Sequence, residues 1–146
     1  MTKILIAYYT KTGNTEKIAK LIAEGAKTKP NTTVEVKKVE EINPAQAAEA
    51  DAFAFGSPTY FSLMAGPMLT LLTEFYFIKD KLAGKPMVAF STGAGSQTQA
   101  NTAIENILKA FNPKLQTSLA IGNTISAADE QQAKKTGETL ASAKKQ

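Results

Sequence analysis

Neither cysteine nor histidine occurs in the 146 residues of this chain. Their absence rules out a disulfide framework, thiolate zinc sites and a cysteine nucleophile, and it removes the commonest general base and metal ligand. Chemistry on this chain therefore points to a bound cofactor rather than to its own side chains. Long apolar runs are missing too. No stretch reaches the length that spans a bilayer, and the run Ile4 to Tyr8 behind Met1-Thr2-Lys3 is too short for a signal peptide. A cytoplasmic protein without membrane contact is the expectation. A basic stripe is also lacking: the net charge of +4 comes from scattered lysines. In the last predicted helix Lys134, Lys135, Lys144 and Lys145 are interleaved with Asp129, Glu130 and Glu138. Such a face reads as solvated surface, and no nucleic-acid partner is expected.

What is present suits one globular domain over residues 1–146. Hydrophobic residues make up 43% and charged residues 21%, enough apolar side chain to bury a core at this length. Four short apolar runs, Ile4 to Tyr8, Ala52 to Phe55, Met87 to Phe90 and Ser118 to Ile121, read as strands buried on both faces. A fifth, Val34 to Val39, alternates apolar and charged residues and belongs at a sheet edge. Helical patterns fill the gaps at Asn14 to Lys27, Pro44 to Glu49, Pro67 to about Phe77, Thr98 to Phe111 and Ser126 to Lys144. In the first of these, Ile18, Leu21, Ile22 and Gly25 share one face. The alternation predicts an α/β fold: a single-domain, doubly wound, five-stranded parallel sheet in the order 2-1-3-4-5. Its topological switch, between strands one and three, is where such sheets bind ligands.

Three loops lie at that switch. Thr10-Lys11-Thr12-Gly13-Asn14-Thr15 brings hydroxyls, an amide and backbone N–H groups to a helix N-terminus, an anion site that fits a monophosphate. It has neither a Walker spacing nor a Gly-x-Gly-x-x-Gly fingerprint. Helix capping by Thr12 or Asn14 would account for one residue of it. Gly56-Ser57-Pro58-Thr59-Tyr60-Phe61 places two aromatics at the crevice, and Tyr60 is the choice for stacking on a flat heterocycle, with core covering an option for one of the pair. Ser91-Thr92-Gly93-Ala94-Gly95-Ser96 has no bulk, so its backbone can face a ligand edge, although glycine and serine also make plain turns.

Tyr8-x-Thr10-x-x-Gly13-x-Thr15-x-x-x-Ala19-x-x-Ile22 resembles the FMN-phosphate signature of the flavodoxin family, and the resemblance runs nearly the whole chain; Ala7 stands where a larger apolar residue is usual. It implies a flavodoxin-like fold with FMN as cofactor. Thr10, Thr12, Asn14 and Thr15, with the amides of Lys11 and Gly13, would hold the phosphate. Pro58, Thr59, Tyr60 and Phe61 would flank the isoalloxazine, and Ser91, Thr92, Gly93, Gly95 and Ser96 would meet its pyrimidine edge. The same loops are similar to those of flavodoxin-like NAD(P)H:quinone oxidoreductases, through Ser57 to Phe61, Met64-Ala65-Gly66 and Phe90 to Gly93 with Ser96-Gln97.

Two features depart from the electron-carrying members. Those are usually acidic, whereas no charged residue occurs from Ser57 to Thr73 or from Pro86 to Ile104. The loop from Thr59 to Ala65 also lacks the glycine, asparagine or aspartate that would ease a peptide flip beside the flavin. Three functions follow as expectations: an electron carrier serving redox partner proteins, a small NAD(P)H-dependent FMN quinone reductase, and a flavodoxin-like binding protein without turnover. A response-regulator receiver is excluded, because Tyr8-Tyr9-Thr10 and Gly56-Ser57-Pro58 stand where it needs carboxylates.

Overall fold

The computed structural model describes residues 1–144, so Lys145 of the basic set lies outside the described residues. The elements in chain order are β1 (Thr2–Tyr8), α1 (Asn14–Lys27), β2 (Thr32–Lys38), α2 (Pro44–Ala47), β3 (Ala52–Tyr60) and β4 (Leu63–Met64). They continue with α3 (Gly66–Tyr76), β5 (Pro86–Gly93), α4 (Gln97–Leu108), β6 (Lys114–Leu115), β7 (Leu119–Gly122) and α5 (Ala127–Ser142). Among them no helix is long and apolar enough to cross a membrane.

The sheet runs β2-β1-β3-β5, with β6 and β7 both on the far edge of β5. Every pairing in this main sheet is parallel. The expected five-strand order is therefore built, with two additions. The fifth strand is interrupted: Lys114 and Leu115 pair with Pro86 and Met87, then Leu119 to Gly122 pair with Phe90 to Gly93. β4 folds back antiparallel on the end of β3. The strand alternation divides the core. Ile4, Ile6, Ala54, Val88, Phe90 and Ile121 join the cluster that contains the buried faces of α1 and α5. Leu5, Phe53, Phe55, Met87 and Ala89 join the cluster of α3 and α4. On that second side Phe53, Phe55 and Phe75 meet as a triad with ring centroids 5.8–6.1 Å apart. Aromatic packing of this kind adds about 0.5–1.5 kcal/mol per pair beyond simple burial.

Residues 14–27 form a helix because their apolar positions recur on one face and no proline interrupts them. Ile18, Leu21, Ile22 and Gly25 all point inward, as their spacing predicts. Gly25 and Gly137 then set the separation of α1 and α5. A Cβ on Gly25 would sit 2.8 Å from the Cα of Lys134, and one on Gly137 would sit 2.7 Å from the Ala26 nitrogen. Each helix thus lays backbone directly on the other, and the exposed pairs Lys17–Glu130 and Lys134–Glu24 cross the seam at 3.3 and 3.6 Å. Exposed pairs of this type contribute only about 0.2–1 kcal/mol each.

Helix α2 is shorter than its pattern suggested, ending at Ala47 rather than Glu49. It cannot cover the outer face of β2, and a groove of about 310 Å³ remains between Lys3, Glu35, Lys37, Asn43, Gln46 and Glu49. α4 begins one residue early and gives way after Leu108 to a 3-10 turn through Phe111.

Candidate functional site

The carboxyl ends of β1, β3 and β5 lie side by side, so the three loops singled out from the sequence meet at one end of the sheet. The first is held from both sides. Tyr9 donates its N–H to the Gly56 carbonyl at 3.0 Å, and Gly13 donates its N–H to Thr10 Oγ1 at 3.0 Å. Gly13 is the N-cap of α1 with φ +101, a left-handed conformation that costs a side-chain-bearing residue about 1–2 kcal/mol.

That cap leaves α1 open. No side chain caps the helix, so neither Thr12 nor Asn14 does the ordinary capping their type allows. Asn14 instead donates from Nδ2 to the Asn123 carbonyl at 3.1 Å, clasping the loop beyond β7. The amides of Asn14, Thr15 and Glu16 meet no protein acceptor among the described residues. Helix α5 makes the contrast: its first turn is closed by a capping box in which Ser126 and Asp129 satisfy each other's amides at 3.0–3.1 Å. An open first turn, together with the exposed Thr12 hydroxyl and the Lys11 ammonium, is a donor set that fits a phosphate group. The chain has no arginine, so hydroxyls, amides and Lys11 make up that set.

The second loop is mostly strand. β3 continues through Pro58, Thr59 and Tyr60, past the end of its apolar run at Phe55. The polar residues there are internally satisfied: Ser57 Oγ accepts the Ala65 N–H and donates to the Pro58 carbonyl, both at 2.8 Å. Phe61 and Ser62 form a two-residue hairpin turn with φ +53 and +63, and Tyr60 pairs across it with Leu63. Both turn positions are left-handed despite the absence of glycine, asparagine or aspartate, so the conformation that the sequence seemed to disfavour is the one adopted. Neither aromatic covers the core. Tyr60 is 37% exposed and Phe61 98%.

The third loop likewise starts inside a strand, since Ser91, Thr92 and Gly93 belong to β5. Successive residues face opposite layers. Ser91 Oγ donates to Asn101 Oδ1 in α4 at 2.6 Å, and Asn101 Nδ2 donates to the Leu119 carbonyl at 3.1 Å. Thr92 Oγ1 is 2.9 Å from Thr15 Oγ1 in α1. Thr59 Oγ1 donates to the Thr92 carbonyl at 3.0 Å, so Thr92 joins all three loops. Gly95 and Ser96 carry the chain into α4, the Gly95 N–H donating to Gln97 Oε1 at 2.8 Å. Below the first loop, burial pushes the Tyr8 phenol above its ordinary pKa, with the charge of Glu16 adding to the effect.

A flavodoxin-domain family model matches residues 5–132. The chain belongs to the flavodoxin family. It is 38% identical over 96 residues to a flavodoxin of Aquifex aeolicus, a match covering 65% of this chain and 52% of that protein. It is 34% identical over 106 residues to a flavodoxin of Clostridium saccharobutylicum, covering 73% of this chain and 65% of that one. The solved structure of an archaeal flavodoxin superposes with a TM-score of 0.88 at 26% identity, covering 96% of both chains.

Within this flavodoxin framework the residues named from the sequence converge at one end of the sheet, but in different states. The side chains of Thr10, Asn14, Thr15, Thr59, Ser91 and Thr92 are tied to protein groups; those of Lys11, Thr12, Tyr60 and Phe61 are exposed and carry no such bond. Two supporting residues lie outside the loops named from the sequence, Asn101 and Asn123, while Ser57 and Gln97, named there only as loop members, brace the second and third loops. For Asn101 a signal existed, a polar residue on the inward face of α4 beside Ala100 and Ile104, where burial demands a partner.

Proposed function

We propose that this chain binds FMN and serves as an electron-transfer protein, with its phosphate on the first loop and its ring between the second and third. The observation that carries this is the uncapped first turn of α1, which the bonds Tyr9–Gly56 and Thr15–Thr92 hold beside the uncharged ends of β3 and β5. When bound, the isoalloxazine supplies the redox chemistry by taking up and releasing electrons. The residues do the rest. Thr10 fixes the Gly13 amide, the amides of Asn14 to Glu16 and the Thr12 hydroxyl would donate to the phosphate, and the Lys11 ammonium would offset part of its charge. Each hydrogen bond to a charged oxygen contributes about 1.5–3 kcal/mol. Tyr60 stacks on the ring while Gly93 and Gly95 bring backbone to its edge.

The rim favours a second reading as well. Tyr60, Phe61 and Leu63 are exposed apolar groups with no charge nearby in sequence, a surface suited to a quinone-type molecule reduced at the expense of NAD(P)H. Purified protein would be titrated with FMN while flavin fluorescence is followed. One equivalent bound supports the proposal, and no quenching refutes it. Anaerobic reduction of the bound flavin then separates the readings: one-electron steps indicate the carrier, direct two-electron turnover with NAD(P)H and a quinone the reductase.

A further inference from the structure

Thr15 and Thr92 form a closed pair. Their residues are 1% and 3% exposed, their hydroxyl oxygens lie 2.9 Å apart, and neither hydroxyl has another partner among the described residues. A hydroxyl donates one proton and accepts two. If Thr15 donates to Thr92, the Thr92 proton is left without an acceptor in a buried position. If Thr92 donates to Thr15, the spare proton belongs to Thr15, whose own backbone N–H is among the free amides of the first turn. Only the second order offers that proton to an anion seated on α1.

We infer that Thr92 is a positioning residue: by donating to Thr15 it turns the Thr15 hydroxyl outward as a donor to a phosphate monoester. The inference rests on the FMN reading and adds to it. Because the Thr92 carbonyl also accepts from Thr59, phosphate occupancy and the ring-side strand ends are joined through one residue.

The test is a set of flavin-quenching titrations with FMN and with riboflavin, which lacks the phosphate, on the wild-type chain, Thr92→Val, Thr92→Ser and Thr15→Val. Loss of one such bond predicts that Thr92→Val weakens FMN about tenfold while riboflavin changes less than about twofold. Thr92→Ser keeps wild-type affinity, and adding Thr92→Val to Thr15→Val costs nothing more. Equal weakening of both flavins, or no weakening of FMN, overturns the inference. Wild-type protein that binds neither flavin refutes the FMN reading instead. The same variants titrated with inorganic phosphate then decide on Thr92, since its role concerns the anion and not the ring.

Discussion

Replacing Gly137 with alanine sets two opposing effects against each other at one position. Alanine favours an interior helix position over glycine by about 1 kcal/mol. Here the added methyl would fall against the Ile22 carbonyl, 2.7 Å from the Ala26 nitrogen and 2.9 Å from the Ile22 carbonyl carbon, all rigid backbone. Relief requires α1 and α5 to part by roughly 1 Å, given that carbon contacts are comfortable only near 3.5–4.0 Å. The shift loosens Ile18, Ile22, Ala26, Ala133 and Leu140, which are fully buried along the seam. Overpacking of this kind costs about 1–3 kcal/mol and sometimes more, so steric strain wins over propensity. Against rigid backbone the upper end of that cost applies, and after the propensity gain is subtracted the expected net loss is about 2 kcal/mol, or roughly 7 °C in Tm for a domain of this size. Urea unfolding of both proteins measures it. Gly122→Ala is the control: the nearest atom to its added methyl, Gln97 Nε2, is 4.0 Å away, and the change should be neutral or stabilising by about 0.5 kcal/mol. A Gly137→Ala protein as stable as the wild type would refute the argument for backbone contact.

Other outcomes follow from the same geometry. Phe61→Asn with Ser62→Gly supplies the residues a doubly left-handed turn prefers, and should raise stability by about 1–2 kcal/mol in thermal melts. Asn101→Ala strips the Ser91 hydroxyl and the Leu119 carbonyl of their buried partner and should cost about 1–3 kcal/mol in denaturant titration. Ser126→Ala opens the α5 capping box and should lower stability by about 1 kcal/mol, with helical ellipticity lost at lower temperature. The raised pKa of Tyr8 means that the folded chain holds the phenolic proton more tightly than the unfolded chain. Its contribution is complete below the ordinary value of 10.0 and is lost as pH rises through the folded value, a fall that Tyr8→Phe should remove from the stability–pH curve.

The order of elements was legible because four strands announce themselves as apolar runs, the edge strand as a mixed run and the longer helices as periodic ones; α1 was readable to the residue, since Gly13 and Thr28 bound an unbroken amphipathic pattern. The ends of β3 and β5 were not. Ser57, Ser91 and Thr92 are polar and look like loop, yet they are buried strand residues whose hydroxyls find partners outside their own strands, at Ala65, Asn101 and Thr15. The hairpin at Phe61-Ser62 carries no glycine, asparagine or aspartate to favour two left-handed positions, so pairing of Tyr60 with Leu63, not local preference, fixes it. The site's location followed from strand order alone. What the sequence hid was which of its hydroxyls are free for a ligand and which are already committed to one another.

The contact of α1 with α5 also bears on how the chain leaves the ribosome. Ile22 and Ala26 belong to the first crossover, but the helix that covers their backbone arrives only with Gly137 and its neighbours, after β1 to β7 and α1 to α4 have been made. During synthesis the flank of the sheet that carries α1 therefore stays half covered while the opposite flank, closed by α3 and α4, is already complete. A stalled or truncated nascent chain should accordingly recruit holdase chaperones through that single flank.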